Sequence, residues 1–300
     1  MNTDYLYAMA NLSSKIQYKT YEKGEFSDEQ SRSLEETLEL IKSFPWDTQR
    51  GVDVQASGPG IVIHGPANDY LKVAIYYNSK FTVYYLDPQN RLYEFHTADL
   101  DVADQKVIDF FDNALSLPDF EKHFFNIGNK SHFETKSFWY AVDRPREKRR
   151  LIAAILVITL YFGGLAVVTV CKDAWGFCFG LLLLISFFFY GIYQQIKVYR
   201  WSKNMKLWIT RGSDVIAFDD GSGSQTYFKS EISSVNIYGR PAGRGRVTTT
   251  IMELYFADGR SIKFSAMLID PTVFIASLRD QVNIKYLEQF STFRKSIRQL

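Results

Sequence analysis

The residues LIAAILVITLYFGGLAVVTV, at 151 to 170, determine the architecture of this chain because all twenty side chains are uncharged. At a rise of about 1.5 Å per residue, a helix of this length crosses the roughly 30 Å hydrocarbon layer of a membrane. The alternative is a buried helix of a soluble bundle, which would be expected to show a polar face over this length. The stretch therefore predicts a membrane-spanning helix.

A second uncharged stretch, AWGFCFGLLLLISFFFYGIY at residues 174 to 193, follows almost at once. Only Cys171, Lys172 and Asp173 separate the two stretches. So short a link predicts an antiparallel helical hairpin. Neither stretch contains an acidic, basic or histidine side chain, which argues against an ion or proton pathway.

The charges around the two stretches predict the orientation of the hairpin. Basic residues stay on the cytoplasmic side of a membrane, so both ends of the chain are expected there. No signal peptide is evident in MNTDYLYAMANLSSK at the start of the sequence. The basic residues lie on both flanks: Arg144, Arg146, Lys148, Arg149 and Arg150 before the first stretch, and Lys197, Arg200, Lys203 and Lys206 after the second.

The same basic residues are candidate contacts for an anionic lipid or a partner. Each basic residue close to an anionic membrane surface contributes about 1 kcal/mol. We therefore assign this role to the group that precedes the first stretch, Arg144, Arg146, Lys148, Arg149 and Arg150.

Composition narrows the function further. The formal net charge of the 300 residues is +2, so bulk charge does not indicate a nucleic-acid-binding protein. The two cysteines, Cys171 and Cys178, exclude a disulfide-rich scaffold, and the sequence leaves open whether they pair.

The hairpin divides the chain into three predicted parts: a cytoplasmic α+β domain at residues 1–142, the hairpin with its basic flanks at 143–200, and a second domain at 201–300. In the first part, Ser27 and Gln30 fit a capping box for a helix that ends at Pro45. Short β-branched and aromatic runs then predict an antiparallel meander. An amphipathic helix is expected over residues 104 to 117.

The first part offers few candidates for chemistry. Its four histidines, His64, His96, His123 and His132, lack metal-ligand spacing, and no nucleophile or phosphate-loop motif occurs. Asp101 and Asp104 fit an N-cap with first-turn charge better than a pair of catalytic acids. We therefore expect no catalytic residue, no metal and no cofactor. Abundant tyrosines would form either a contact surface or core.

The last part is β-rich up to Asp270. Six runs predict strands: KLWIT, DVIAFD, SQTYFK, SSVNIYG, TTTIMELYF and RSIKFS. The run DPTVFIASLRDQVNIKYLEQF then predicts a helix, with Pro271 at its first position. Antiparallel strands followed by one helix predict a small barrel closed at one end by that helix.

Two segments of this part, KSEISSVNIYG and MELYFADGRSIKFSAMLIDPTVFIASLRD, resemble the pleckstrin-homology-like (PH-like) domains of bacterial membrane proteins with two transmembrane helices. The resemblance covers roughly residues 195 to 285. The resemblance implies a fold and a position beside the bacterial inner membrane. It does not indicate a catalytic activity. The matching positions are structural: Glu231, Ile232, Val235, Asp258, Gly259 and Arg260.

The headgroup site of eukaryotic relatives lies at the first strand pair, which the resemblance places at RGSD (211–214), where Arg211 is the one basic residue. The loop GRPAGRGRV at 239–247 is more basic, with Arg240, Arg244 and Arg246. Three interpretations of this loop are open. It is a mobile turn whose arginines keep it soluble, a contact for lipid or an acidic protein, or a loop that binds a nucleotide phosphate. The phosphate loop requires a following helix N-terminus, whereas the next run is strand-like.

Three functions remain open at this stage. The first is a non-enzymatic integral membrane protein that presents two cytoplasmic binding modules to a protein, to lipid or to both. The second is an immunity protein that neutralises a membrane-acting toxin, and the third is an enzyme at the membrane surface. The sequence predicts a protein partner without identifying it, and leaves self-association open.

Overall fold

The computed structural model describes residues 11–51, 56–124, 128–171, 175–239, 250–278 and 282–287, and it leaves the side chains of 168–171, 175–179 and 181 undescribed. The chain divides into two compact units, Met1–Ser137 and Phe138–Leu300. The predicted strand that begins at Val52 and the basic loop after Gly239 fall mainly outside the described residues.

A seven-stranded sheet organises the first unit, with neighbours in the order β2-β1-β3-β4-β5-β6-β7 and every pair antiparallel. Its strands are β1 (Leu12–Gln17), β2 (Ser27–Arg32), β3 (Gly60–His64), β4 (Tyr70–Ile75), β5 (Phe81–Leu86), β6 (Leu92–Thr97) and β7 (Glu121–Lys122). The four strands from β3 to β6 are the predicted meander.

Helices cover one face of this sheet: α1 (Leu34–Ser43), α2 (Trp46–Gln49) and α3 (Leu100–Phe111). Ile61 and Ile63 join the core that includes Ile41 of α1 and Val107 of α3. Val62, between them, belongs to a separate cluster. Successive side chains of a strand point to opposite faces, so β3 contributes to two cores. The predicted mixture of helices and strands is confirmed.

The first helix begins later than the sequence predicted. Residues Ser27–Arg32 form β2 rather than a helical turn. The capping box lies instead at Ser33 and Glu36, where the amide of Glu36 donates to Ser33 Oγ at 3.2 Å and the amide of Ser33 donates to Glu36 Oε2 at 2.8 Å. The second predicted helix, α3, differs in the opposite direction. It starts earlier than predicted, after an N-cap at Asp99.

Two long helices lie in the second unit, α4 (Arg144–Cys171) and α5 (Trp175–Ser202). They are antiparallel. The rings of Phe162 and Phe188 lie 5.5 Å apart midway along the helices. The first residue of α4, Arg144, donates to the carbonyl of Lys203 and to the side chain of Asn204 just after α5.

Two four-stranded sheets complete this unit, in the orders β11-β10-β9-β8 and β14-β13-β12-β15. Their strands are β8 (Trp139–Ala141), β9 (Lys206–Trp208), β10 (Val215–Asp219), β11 (Ser224–Phe228), β12 (Ile232–Tyr238), β13 (Ile251–Phe256), β14 (Ser261–Ser265) and β15 (Asn283–Leu287). All six predicted strands form, and β8 and β15 are additional.

The core of the second unit contains side chains of both sheets, including Leu207, Ile216, Val235 and Leu254. The predicted closed barrel is wrong, because the described strands form two separate sheets. Within the described residues, β11 and β14 each pair with one strand and therefore lie at the edges of their sheets.

The predicted C-terminal helix is shorter than expected. The described helix, α6, runs from Pro271 to Ala276, and the side chain of Asp270 caps it by accepting from the amide of Thr272 at 2.9 Å. The downstream residues Asn283–Leu287 form β15, which pairs in parallel with β12. Phe274 in α6 and Leu278 just after it are both buried.

Candidate membrane-facing site

The two long helices carry an apolar surface that the protein does not cover. Phe162 packs inside the pair, whereas most of the large apolar side chains around it are exposed. Those exposed on the pair are Ile152, Leu156, Val157, Leu160, Tyr161, Val167, Leu182, Leu183, Leu184, Phe187, Phe188, Phe189, Tyr190 and Tyr193. Monomeric soluble proteins rarely expose a continuous apolar area of this kind, so the surface marks a contact with lipid or with protein.

Helix α4 is long and apolar enough, over Arg144–Val167, to cross a membrane by length and composition. A core helix of a soluble protein would be mostly buried, whereas only 6% of the apolar 18-residue window within this helix is buried. Within the described residues this is the single helix that meets the criterion. The second span, residues 174–193, includes undescribed side chains and stays a prediction.

The base of the helical pair is built into the folded part of the second unit. Val142 before α4 and Val198 and Tyr199 at the end of α5 belong to the same core as the two sheets. The strand before α4, β8, also pairs with the strand after α5, β9, and Trp139 lies opposite Trp208 in this pair. The two helices therefore leave the sheet at one strand and return to it at the next.

Both basic flanks lie at this base, because α4 begins where α5 ends. On the α4 side, Arg146, Lys148, Arg149 and Arg150 are exposed. Arg144, predicted as a contact for lipid or a partner, is also exposed, and its guanidinium holds Lys203 and Asn204. The structure thus brings the sequence-predicted residues of this group together at one end of the pair.

The other predicted contacts, Arg240, Arg244 and Arg246, lie outside the described residues. Gly239, the last described residue before them, has a φ of +134°, a backbone angle that residues other than glycine rarely adopt. The lipid or partner role of this loop stays a prediction.

A concavity of about 310 Å³ lies on α5 near the base and was not predicted from the sequence. Its lining residues are Tyr193, Ile196, Lys197, Arg200 and Trp201. The signal in the sequence was their spacing of three and four residues, which places them along one helix face.

A second cleft, of about 350 Å³, includes residues of β11 and β14, the two edge strands. The charged side chains that line this cleft interact with neighbouring residues of the protein. Lys263 lies 3.0 Å from the buried carboxylate of Glu253. Asp220 accepts from the hydroxyl of Ser222 at 2.6 Å, and hydrogen bonds from Ser222 lower its pKa. The segment DDGSGS, residues 219–224, therefore forms the turn between β10 and β11.

Titratable groups of the first unit form a three-residue set around Glu94 and a separate pair at Asp104. His96 Nε2 lies 2.9 Å from Glu94 Oε1, and the other oxygen of Glu94 contacts His123 Nε2. Asp104 is buried 3.9 Å from Lys42, and desolvation raises its pKa. Within the described part of the chain, no group of three or more His, Cys, Asp or Glu residues could hold a metal ion.

Comparison with known proteins identifies the second unit. Residues 139–277 match the family model described as PH domain, which confirms the PH-like resemblance of the C-terminal part. No curated protein and no solved structure matches the chain.

The match starts at Trp139, the first residue of β8, and so it includes both long helices. The residues form a PH-like domain whose β8–β9 connection is the helical pair. The turn RGSD at 211–214 joins β9 to β10. It was expected to belong to the first strand pair; that assignment is wrong, because β8 was not recognised from the sequence.

Proposed function

We propose that this chain is a non-enzymatic integral membrane protein of the bacterial inner membrane. In this proposal α4 and α5 cross the bilayer as an antiparallel pair. The PH-like domain and the first unit are binding modules on the cytoplasmic side, where they recognise a protein, an anionic lipid or both.

The observation that supports the proposal is the way the helical pair combines an uncovered apolar surface with a fixed base. Burying a side chain the size of leucine or phenylalanine stabilises a protein by about 1.5–3 kcal/mol. Leaving many such side chains in water would forgo that energy, whereas hydrocarbon chains of lipid would cover them. Val198 and Tyr199 continue α5 directly into the domain core, so the domain is held at the membrane surface.

The charge distribution supports the orientation. Exposed arginines and lysines lie at the base of the pair, at the end where the PH-like domain begins. Cytoplasmic flanks are enriched in such residues. Only Lys172 beside Asp173 marks the opposite end in the sequence.

Membrane extraction and reporter fusions test this proposal. Membranes that contain the chain would be washed with alkaline carbonate, and each terminus would carry a phosphatase that is active only outside the cytoplasm. We expect the chain to stay in the pellet and both fusions to be inactive. Release into the supernatant would disprove the spans, and an active phosphatase at either end would disprove the orientation.

A further inference from the structure

The concavity on α5 combines positive charge with aromatic rings at the base of the apolar surface. Tyr193, Lys197 and Trp201 are spaced four residues apart, as are Ile196 and Arg200. Residues at this spacing lie above one another on a helix. The concavity is therefore a groove along α5, with Tyr193 toward the apolar surface and Trp201 toward the folded domain.

Its charges suit an anion. Arg200 is exposed, and its planar guanidinium can hold two phosphate oxygens at once. Lys197, one turn away, adds a second cation on the same face. The described residues that line the groove include no acidic side chain. The volume of about 310 Å³ is at the lower end of ordinary small-molecule sites.

The surroundings favour a lipid over a free anion. One turn before Tyr193, the exposed rings of Phe189 and Tyr190 continue the same helix face into the apolar surface. Tyrosine and tryptophan are enriched at the interface between hydrocarbon and water. A molecule with a phosphate at Arg200 and acyl chains along Phe189 would use both parts of this face.

We propose that this groove is a specific site for an anionic phospholipid, with Lys197 and Arg200 on the headgroup phosphate. The inference rests on the proposed membrane insertion and adds a defined lipid site. The described residues that line the groove all belong to α5.

Native mass spectrometry of the full chain in mild detergent tests the site, with phosphatidylglycerol or phosphatidylcholine added. Detergent removes the delocalised potential of a membrane surface, so retained lipid reports a site. We expect the wild type to retain phosphatidylglycerol in preference to phosphatidylcholine. Lys197→Gln with Arg200→Gln should weaken retention about a hundredfold, since each hydrogen bond from a charged group to the phosphate is worth roughly tenfold.

A double variant in the first unit provides the control. Lys80→Gln with Lys122→Gln removes the same charge from two exposed positions outside the candidate lipid contacts, and retention should stay within about twofold of the wild type. The charge-preserving exchange of Lys197→Arg with Arg200→Lys should retain the lipid. If the double glutamine variant fails to fold, Arg200→Gln alone gives the test, because Arg200 is exposed.

Three results would overturn the inference: unchanged retention in the α5 double variant, an equal loss in both double variants, or displacement of the lipid by inorganic phosphate at equal concentration. The last result would indicate a site for free anions. Carbonate extraction separates these failures from failure of the proposed function. A chain that stays in the membrane but shows no lipid preference contradicts only the site.

Discussion

Arg144 and Asn204 lie sixty residues apart in sequence, yet the guanidinium Nη2 of Arg144 donates to the side-chain oxygen of Asn204 at 3.0 Å. The Nε of Arg144 donates to the carbonyl of Lys203 at 3.1 Å. These bonds join the first residue of α4 to the segment that follows α5. They close the helical pair at the end where β8 and β9 are also paired.

The Arg144 contact should stabilise the base of the pair by a small, measurable amount. We expect Arg144→Gln and Asn204→Ala to lower the thermal midpoint in detergent, and the two effects to be coupled by roughly 0.5–1 kcal/mol because the bonds are exposed. A double-mutant cycle measures this coupling. Arg146→Gln is the control, because Arg146 is exposed in the same turn of α4. Strictly additive effects of Arg144→Gln and Asn204→Ala would contradict the contact.

The boundary between the two units should lie before β8. Fragment 1–137 is expected to fold alone and stay in the supernatant, because the seven-stranded sheet and its helices are complete within it. Fragment 138–300 should melt at a higher temperature in detergent than fragment 143–300. The shorter fragment lacks β8, so it loses the Trp139–Trp208 and Ala141–Lys206 pairs.

Equal melting of the two C-terminal fragments would show that β8 contributes nothing, and would favour the boundary predicted from the sequence at residue 143. Aggregation of fragment 1–137 would show that the first unit depends on the rest of the chain. Both measurements use purified fragments at matched concentration.

The strands that the sequence predicted share a local signal. Segments such as Tyr70–Ile75 and Phe81–Leu86 are rich in β-branched and aromatic residues and are bounded by turn residues. The strands it missed lack that signal. Ser27–Arg32 is polar, and Ser27 with Gln30 matches the spacing of a capping box although Ser27 begins a strand. Trp139–Ala141 has three residues, and its partner strand follows only after both long helices.

The candidate site was predicted in part for a similar reason. The apolar stretches and the basic residues beside them are visible in the sequence, because charge and hydropathy are local. The role of Arg144 in joining two helix ends is not visible, since it depends on the antiparallel packing. The groove that contains Lys197 and Trp201 likewise requires the helix to continue past the apolar stretch, where the sequence suggested only a flank.

Two serines that look alike in sequence should differ in their effect on stability. Ser33→Ala removes the acceptor for the amide of Glu36 and should lower the unfolding free energy of fragment 1–137 by about 1 kcal/mol. Ser27→Ala should change it by only a few tenths, because Ser27 begins a strand. Trp46, the only tryptophan of this fragment, is buried and reports urea unfolding by fluorescence. A larger effect at Ser27 than at Ser33 would contradict this cap and support the helix start at Ser27 that the sequence predicted.

A fully buried lysine should give the first unit an unusual pH dependence. The ammonium of Lys72 in β4 donates to Gln17 Oε1 at 2.6 Å, to the carbonyl of Ala56 at 2.8 Å and to the carbonyl of Gly58 at 2.6 Å. Burial lowers the pKa of Lys72 from 10.5 to about 7. Above pH 7 the unfolded chain therefore keeps a proton that the folded unit has lost.

Stability conferred through this group therefore rises with pH between the folded and the unfolded pKa of Lys72, by up to about 1.4 kcal/mol per pH unit. Tyr70 and Tyr85 act in the opposite direction at higher pH, because burial raises each pKa from 10 to about 12. The measurement is therefore urea unfolding of fragment 1–137 between pH 7 and about pH 9, comparing wild type with Lys72→Met. We expect the wild type to gain stability relative to the variant as pH increases, since the tyrosines are common to both. Parallel profiles would show that Lys72 keeps its ordinary pKa, in which case the three oxygen acceptors hold it as a charged ammonium throughout this range.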